Sequence, residues 1–385
     1  MDIKKMKKYF TLLFLLFTLI SPLTAQKLPE TVVKIGIALK IKAFNLNCDG
    51  DYTVEEAKSG VAKDIESNYN YTVKVDGESL FIGAMKYQLP LNIQPKHPGG
   101  KVKVNAKKYR GSLEVVLKDG CINVINVVSV DDYLYGVLPR EVDPGWEMEA
   151  LKAQAVVSRT FLLKNLKKHE MDGFDLCDSV HCQVYGGADS EKDNTSRAVE
   201  ETRDVVMVFD GQLADGIFHA CCAGHTENPN DVWSWDSAAP KYLRGVKCKF
   251  CKSSPHYKWE RDLSMELLTR HLIKAGYDTK QIKKIERGSK TGSGRIKNIK
   301  VKCAAGTVVI PINKFRLAVG PDIIRSSYID SISIKNSRVV FKGKGWGHGV
   351  GMCQWGAKVM ADKKYNYKEI LNYYYPGTKV ERWDE

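Results

Sequence analysis

In the stretch DDYLYGVLPREVDPGWEMEALKAQAVVSRTF, Asp131 to Phe161, one carboxylate, Glu141, sits beside Pro139, Pro144 and Gly145 and just ahead of a run with helical spacing. A strand rich in tyrosine is expected to end at Pro139, which puts Glu141 in the turn before a long helix. A carboxylic acid placed there can give a proton to a leaving group and later take one back. For Glu141 to keep its proton near neutral pH it needs a poorly hydrated cleft, and Trp146 and Tyr135 are the nearby groups able to supply one. A helix amino terminus close by would favour the charged form instead. Gln154 and Arg159, five residues apart on the following run, are candidate substrate contacts or ordinary helix-surface groups.

A second constellation is GKGWGHGVGMCQWGAKVMA, Gly343 to Ala361, with six glycines between Gly343 and Gly356 around Trp346, His348, Gln354 and Trp355. Glycine permits positive φ and close approach of backbone to a ligand, and tryptophan faces stack on sugar rings. The alternative is a tight turn packed in the core. A third set is His219, Cys221, Cys222 and His225, with Cys248 and Cys251 downstream as a CxxC pair. Zinc favours four such nitrogen and sulfur ligands, whereas an oxidising compartment favours disulfides. His219, His225, Cys248 and Cys251 form the first candidate metal set, with Cys221 and Cys222 as alternatives. Cys177 and Cys182 are expected to pair as a disulfide.

The Asp131–Phe161 stretch, with AQAVVSRTF from Ala153 to Phe161, closely resembles the core motif of the SpoIID/LytB family, and Gly343–Ala361 followed by YYYPGT, Tyr373 to Thr378, resembles its carboxy-terminal signature. CDSVHCQVYGG, Cys177 to Gly187, and FHACCAGHTENPNDVW, Phe218 to Trp233, are weaker matches between them. The resemblance starts near YRGSLEV at Tyr109, and this chain has Cys353 where the family usually carries serine. It implies that Glu141 is the acid of a peptidoglycan lytic transglycosylase. Such an enzyme cuts the MurNAc–GlcNAc bond of glycan strands stripped of stem peptides and leaves 1,6-anhydro-MurNAc ends. The sugar's own 6-hydroxyl then replaces water, so one carboxyl group suffices where hydrolytic glycosidases generally use two. The resemblance also implies substrate contacts at Tyr185, a zinc ion in the region of Phe218–Trp233, and an amidase as functional partner. LytB members are regarded as amidase enhancers, which makes a non-catalytic wall-binding protein the rival reading. A zinc hydrolase built on His219, His225 and His348 is a third.

The elements that must position these groups follow from periodicity. Val33, Ile35, Ile37, Leu39 and Ile41 alternate as in a half-buried strand, and short strands follow at Tyr52–Val54, Tyr71–Val75 and Tyr87–Ile93. Leu113, Val115 and Leu117 meet Ile122, Val124 and Val127 across an Asp119–Gly120 turn, a hairpin by its turn chemistry. Trp146–Lys168 reads as a helix, as do Ser264–Ala275, Gln354–Lys363 and Tyr367–Tyr374; Ile296–Ile312 and Val339–Lys342 read as strands. The expected fold is α+β. A β-rich section spans residues 26–105, and a mixed catalytic core over 106–385 carries a cleft between lobes.

Residues 1–25 have the layout of a signal peptide: four lysines, an apolar run from Tyr9 to Ile20, and small residues ending at Ala25. The run is shorter than a membrane span, so export without a stable anchor is expected, to the periplasm or cell wall. The formal charge of the 385-residue chain is +14, and +11 without the four lysines and one aspartate of residues 1–25. A basic exported surface suits an anionic wall polymer rather than nucleic acid.

Overall fold

The computed structural model describes residues 31–233 and 238–383; the signal peptide expected at residues 1–25 lies outside them. Two sheets share the first core. In the larger, seven-stranded sheet the spatial order is Leu176–Cys177, Val32–Ile41, Cys121–Ser129, Ser112–Lys118, Leu91–Pro95, Tyr52–Glu56 and Ala62–Ile65. The second has six strands in the order Lys107–Arg110, Lys101–Val104, Ala43–Asp49, Tyr71–Asp76, Ser79–Ile82 and Met85–Gln88. Alternate positions of the first (Val33, Ile35, Val54, Ile93, Val115, Val124) and of the second (Phe44, Leu46, Val73, Leu80, Val102) are buried in one apolar cluster, as the period-two pattern requires. The single strand expected at Tyr87–Ile93 is instead two, in different sheets, because Pro90 has no N–H to continue a ladder. The border expected between residues 105 and 106 falls in the turn joining Lys101–Val104 to Lys107–Arg110, and strands from both sides of it share the larger sheet.

Among the described residues the helices are α1 (Val130–Glu141), α2 (Met148–Lys164), α3 (Asp193–Glu201), α4 (Met265–Lys274), α5 (Ile312–Val319), α6 (Gln354–Asp362) and α7 (Tyr367–Tyr374). The first corrects the sequence reading. Val130–Glu141 is a helix, not a strand ending at Pro139, and Glu141 is its last residue. Ser129 caps it by accepting a hydrogen bond from the Asp132 N–H, with Asp131 and Asp132 in the first turn. Tyr133, Leu134, Val137 and Leu138 are buried on one helical face. Pro139 lies in the last turn of α1, where its missing N–H costs one intrahelical bond, the one to the Tyr135 carbonyl.

A second apolar cluster surrounds α2, α6 and α7 and contains Cys221, Cys222, Cys248, Cys251 and Cys353. The third cluster is built from α4, α5 and the strands between Lys258 and Lys344, with Trp259, Leu268, Phe315 and Phe341 at its centre. The architecture is mixed α+β with a β-rich amino-terminal section, as expected.

Candidate active site

Glu141 is positioned by contacts from two separate parts of the chain, one of them backed by a third. Its Oε1 accepts a hydrogen bond from the Val184 N–H at 3.2 Å, and its backbone carbonyl accepts one from Gln354 Nε2 at 3.1 Å. The same Gln354 nitrogen lies 3.3 Å from Oε1 of Gln154 on α2, whose own amide donates to Ser158 Oγ at 3.1 Å. A cleft of about 570 Å³ opens beside these groups, lined by the Pro139–Trp146 segment together with Ala220, His256, Gln354, Trp355 and Lys358.

The Glu141 carboxyl is pushed above the ordinary carboxylate range, because burial disfavours the charged form more strongly than the Val184 N–H and the Arg140 charge favour it. Its place at the carboxy-terminal end of α1 acts in the same direction, since the helix dipole opposes a negative charge there. The helix start that could have held the acid ionised begins at Met148, beyond the turn. Trp146 supplies the apolar wall, set edge-on against Trp355 with ring centroids 5.6 Å apart. Tyr135 does not line the cleft; its hydroxyl faces Glu200 at 3.4 Å.

The hairpin-like segment that delivers Val184 carries a second constellation. Ligand atoms of His169, Cys177, His181 and Cys182 all lie within 4.8 Å of one another. Cys182 Sγ is 3.5 Å from His169 Nε2, and His181 Nδ1 is 3.7 Å from both sulfurs. Cys177 and Cys182 are free thiols here rather than the expected disulfide. Two imidazoles and two thiols are a donor set that zinc takes tetrahedrally. Cys182 is two residues from Val184, so this corner fixes the loop whose N–H holds Glu141.

The family described as Stage II sporulation protein, SpoIID, matches residues 118–209, which carry Glu141 and the His169–Cys182 corner. A domain of unknown function, DUF8618, matches residues 234–351. An uncharacterised protein of Brachyspira hyodysenteriae is 36% identical over 283 residues, which cover 72% of this chain and 73% of that relative. The chain belongs to the SpoIID family. The amidase enhancer of Bacillus subtilis is 28% identical over 364 residues, 80% of this chain but 50% of the longer relative. Stage II sporulation protein D of the same species is 27% identical over 276 residues, 67% of this chain and 76% of the relative.

Against this SpoIID-family site, the residues read from the sequence divide into two groups. Glu141 and Gln354 reach the cleft, and Gln154 stands behind Gln354 as a fully buried positioning residue. Arg159 does not reach it. Its guanidinium, 2% exposed, pairs with Asp131 at 3.0 Å and donates to the carbonyls of Thr202 and Val199, so it ties α1 to α2 and α3. Tyr185 is likewise internal: its hydroxyl donates to Asn126 Oδ1 at 3.0 Å, and its ring packs where any side chain at Gly136 would stand. Trp346 lies behind the cleft wall, its face covered by Arg325 at 4.4 Å and its neighbour His256 4.5 Å away edge-on. His348 packs between His219 and Trp233, and desolvation, then Arg316 and Arg295, lower its pKa to about 3.

The glycine-rich run serves protein packing. A Cβ on Gly351, φ +70°, would meet the Ile217 carbonyl at 1.8 Å, and one on Gly356 would meet Tyr374 Oη at 1.9 Å. The expected metal set is not brought together as one group among the described residues. His219 Nδ1 is committed to the Val350 carbonyl at 2.9 Å and His225 Nδ1 to the Thr226 carbonyl at 2.6 Å, while Cys248 and Cys251 gather with Cys222 and Cys353. Sequence reasoning passed over Val184, His256 and the His169–Cys182 corner. A backbone donor such as Val184 leaves no sequence signal. The corner does leave one, since His169, Cys177, His181 and Cys182 fall within fourteen residues.

Proposed function

We propose that this chain is a peptidoglycan lytic transglycosylase that cleaves the MurNAc–GlcNAc linkage of stem-peptide-free glycan strands. Protonated Glu141 gives its proton to the glycosidic oxygen as the bond from MurNAc C1 breaks. The resulting carboxylate then takes the proton of the MurNAc 6-hydroxyl as O6 bonds to C1, which leaves the 1,6-anhydro end and restores the acid. The observation that carries this reading is a carboxyl group whose burial favours the protonated form, set at an aromatic-walled cleft. Trp146 and Trp355 offer apolar surface to sugar rings, and Gln354 fixes the end of α1. A second carboxylate, Asp143, also lines the cleft; it is exposed and accepts the Gly145 N–H at 2.8 Å.

His169, Cys177, His181 and Cys182 would hold zinc, which with four protein ligands has no open position and supplies rigidity rather than chemistry at the cut bond. The site works outside the cytoplasm after export on the basic, apolar amino-terminal segment. Among the described residues no helix is long and apolar enough to cross a membrane. An amidase that strips stem peptides is the functional partner.

Mass spectrometry of stem-peptide-free strands incubated with the full mature chain and with Glu141→Gln tests the reading. Anhydro-ended fragments with wild type and none with the variant are expected. Intact strands with the zinc-loaded wild type would overturn catalysis and favour the amidase-enhancer reading, which the 28% identity to a protein of that name supports. Stimulation of a purified amidase by wild type and Glu141→Gln alike would then be the positive result.

A further inference from the structure

Five buried cysteines meet in the apolar cluster around α2, α6 and α7, and the proposed reaction uses none of them. Four of these, Cys222, Cys248, Cys251 and Cys353, have sulfurs that all lie within 4.8 Å of one another. They come from three chain segments: the loop after Phe218–His219, the CxxC turn in the DUF8618-matched segment, and the residue immediately before α6. We propose that Cys222, Cys248, Cys251 and Cys353 form a four-thiolate structural zinc centre that staples the 234–351 segment to the core carrying Glu141.

Four mutually adjacent sulfurs suit one tetrahedral ion. Cys222 and Cys251 sulfurs are 3.5 Å apart. That is close to the roughly 3.8 Å edge of a tetrahedron with zinc–sulfur bonds of about 2.3 Å, and well beyond a disulfide bond of about 2.05 Å. The surroundings supply the polar groups that metal-bound sulfur needs. The Cys222 N–H donates to Cys353 Sγ at 3.2 Å, and Tyr374 Oη lies 3.3 Å from Cys248 Sγ. Gly356 leaves the room: a Cβ there would stand 3.0 Å from Cys248 Sγ. Tyr373 holds the same turn by donating to the Lys247 carbonyl at 2.7 Å.

Charge gives a second argument. All four residues are at most 3% exposed, where a lone thiolate would be costly, and a dication at the centre lets every sulfur bind as thiolate. Arg295, 1% exposed, reaches the same loop through the Cys222 and His225 carbonyls at 2.6 and 2.7 Å and places a further positive charge beside it. Four protein sulfurs, two of them from a CxxC turn, leave no open position, as in a structural site. The proposal does not depend on the reaction assigned to Glu141.

Metal analysis of the full mature chain, wild type and Cys353→Ser, is the test; serine nearly keeps the size of the side chain and removes only the soft sulfur ligand. The expected result is loss of about one zinc per chain in the variant, with an unchanged far-ultraviolet spectrum. In wild type, alkylation of these four cysteines is expected only after chelation, with no reductant needed. Disulfide-linked peptides among the four, iron in place of zinc, or a zinc content unaltered by Cys353→Ser would overturn it. If Cys353→Ser does not fold, the wild-type alkylation map decides alone, because buried thiols without metal would not change their labelling on chelation.

Discussion

The two thiol clusters are built on opposite principles. His169, Cys177, His181 and Cys182 form a half-exposed corner at one edge of the larger sheet, drawn from a single short stretch of chain. Cys222, Cys248, Cys251 and Cys353 are sealed in the second core and drawn from positions up to 131 residues apart. Two imidazoles with two thiolates neutralise a zinc dication, so the corner needs little help from its surroundings. Four thiolates around a zinc ion would leave a net negative charge, and an N–H donor, a tyrosine hydroxyl and Arg295 stand around these four sulfurs. Each cluster lies within two residues of a group that touches Glu141: Cys182 precedes Val184, and Cys353 precedes Gln354. Mixed ligands suit a local loop at the surface, and all-sulfur ligands suit a junction between segments.

The largest effect is expected where both clusters converge. Glu141→Gln should lower glycan cleavage by about 10²–10⁴-fold while leaving zinc content unchanged; an equal loss of zinc would mean that the carboxylate supports the clusters rather than the reverse. The same variant has a stability signature. Because the folded-state pKa of Glu141 is raised, its contribution is fully present below the unfolded value of about 4.3 and is lost as pH rises through the folded value. Glu141→Gln should therefore melt at a higher temperature than wild type at neutral and alkaline pH, and at the same temperature in acid.

Next in size are the clusters themselves. Cys182→Ser should cost about 10–100-fold in activity or metal affinity, since it frees the loop that delivers Val184. Cys353→Ser should cost less in activity, because Gln354 is also held by Gln154. The reverse order in kcat measurements would show that the buried centre is the one that places the acid. Gln354→Ala removes one hydrogen bond to the end of α1, about 1 kcal/mol, and should lower kcat by about fivefold with both zinc equivalents retained. Arg140→Ala is expected to give the smallest change. Loss of its positive charge raises the Glu141 pKa further, so the alkaline limb of the pH–rate profile should move to higher pH, by less than about one unit.

Much of the fold was legible because local rules agreed with tertiary demands. The Asp119–Gly120 hairpin, the start of the first strand and the α7 boundaries follow from turn chemistry, alternation and the Asn366–Glu369 capping box. The misreading of α1 came from its composition. Tyr133, Tyr135 and Val137 favour strands, and Pro139 suggests an end, yet Ser129 and the two aspartates mark a helix start and burial of one face decides the matter. Arg159 and Tyr185 carry side chains suited to substrate, but only packing reveals that Asp131 and Asn126 occupy them.

By itself the sequence determined the order of the motifs and the family, and it singled out Glu141 as the candidate acid, because these rest on residue type and short-range spacing. It also determined that Cys248 and Cys251 lie one CxxC turn apart. The tertiary structure alone decided what surrounds the acid: that Glu141 ends a helix instead of preceding one, that a backbone N–H from Val184 holds its carboxyl, and that Cys222 and Cys353 join the CxxC turn in place of His219 and His225. The physical reason is that burial and hydrogen-bond partners are set by segments remote in the chain.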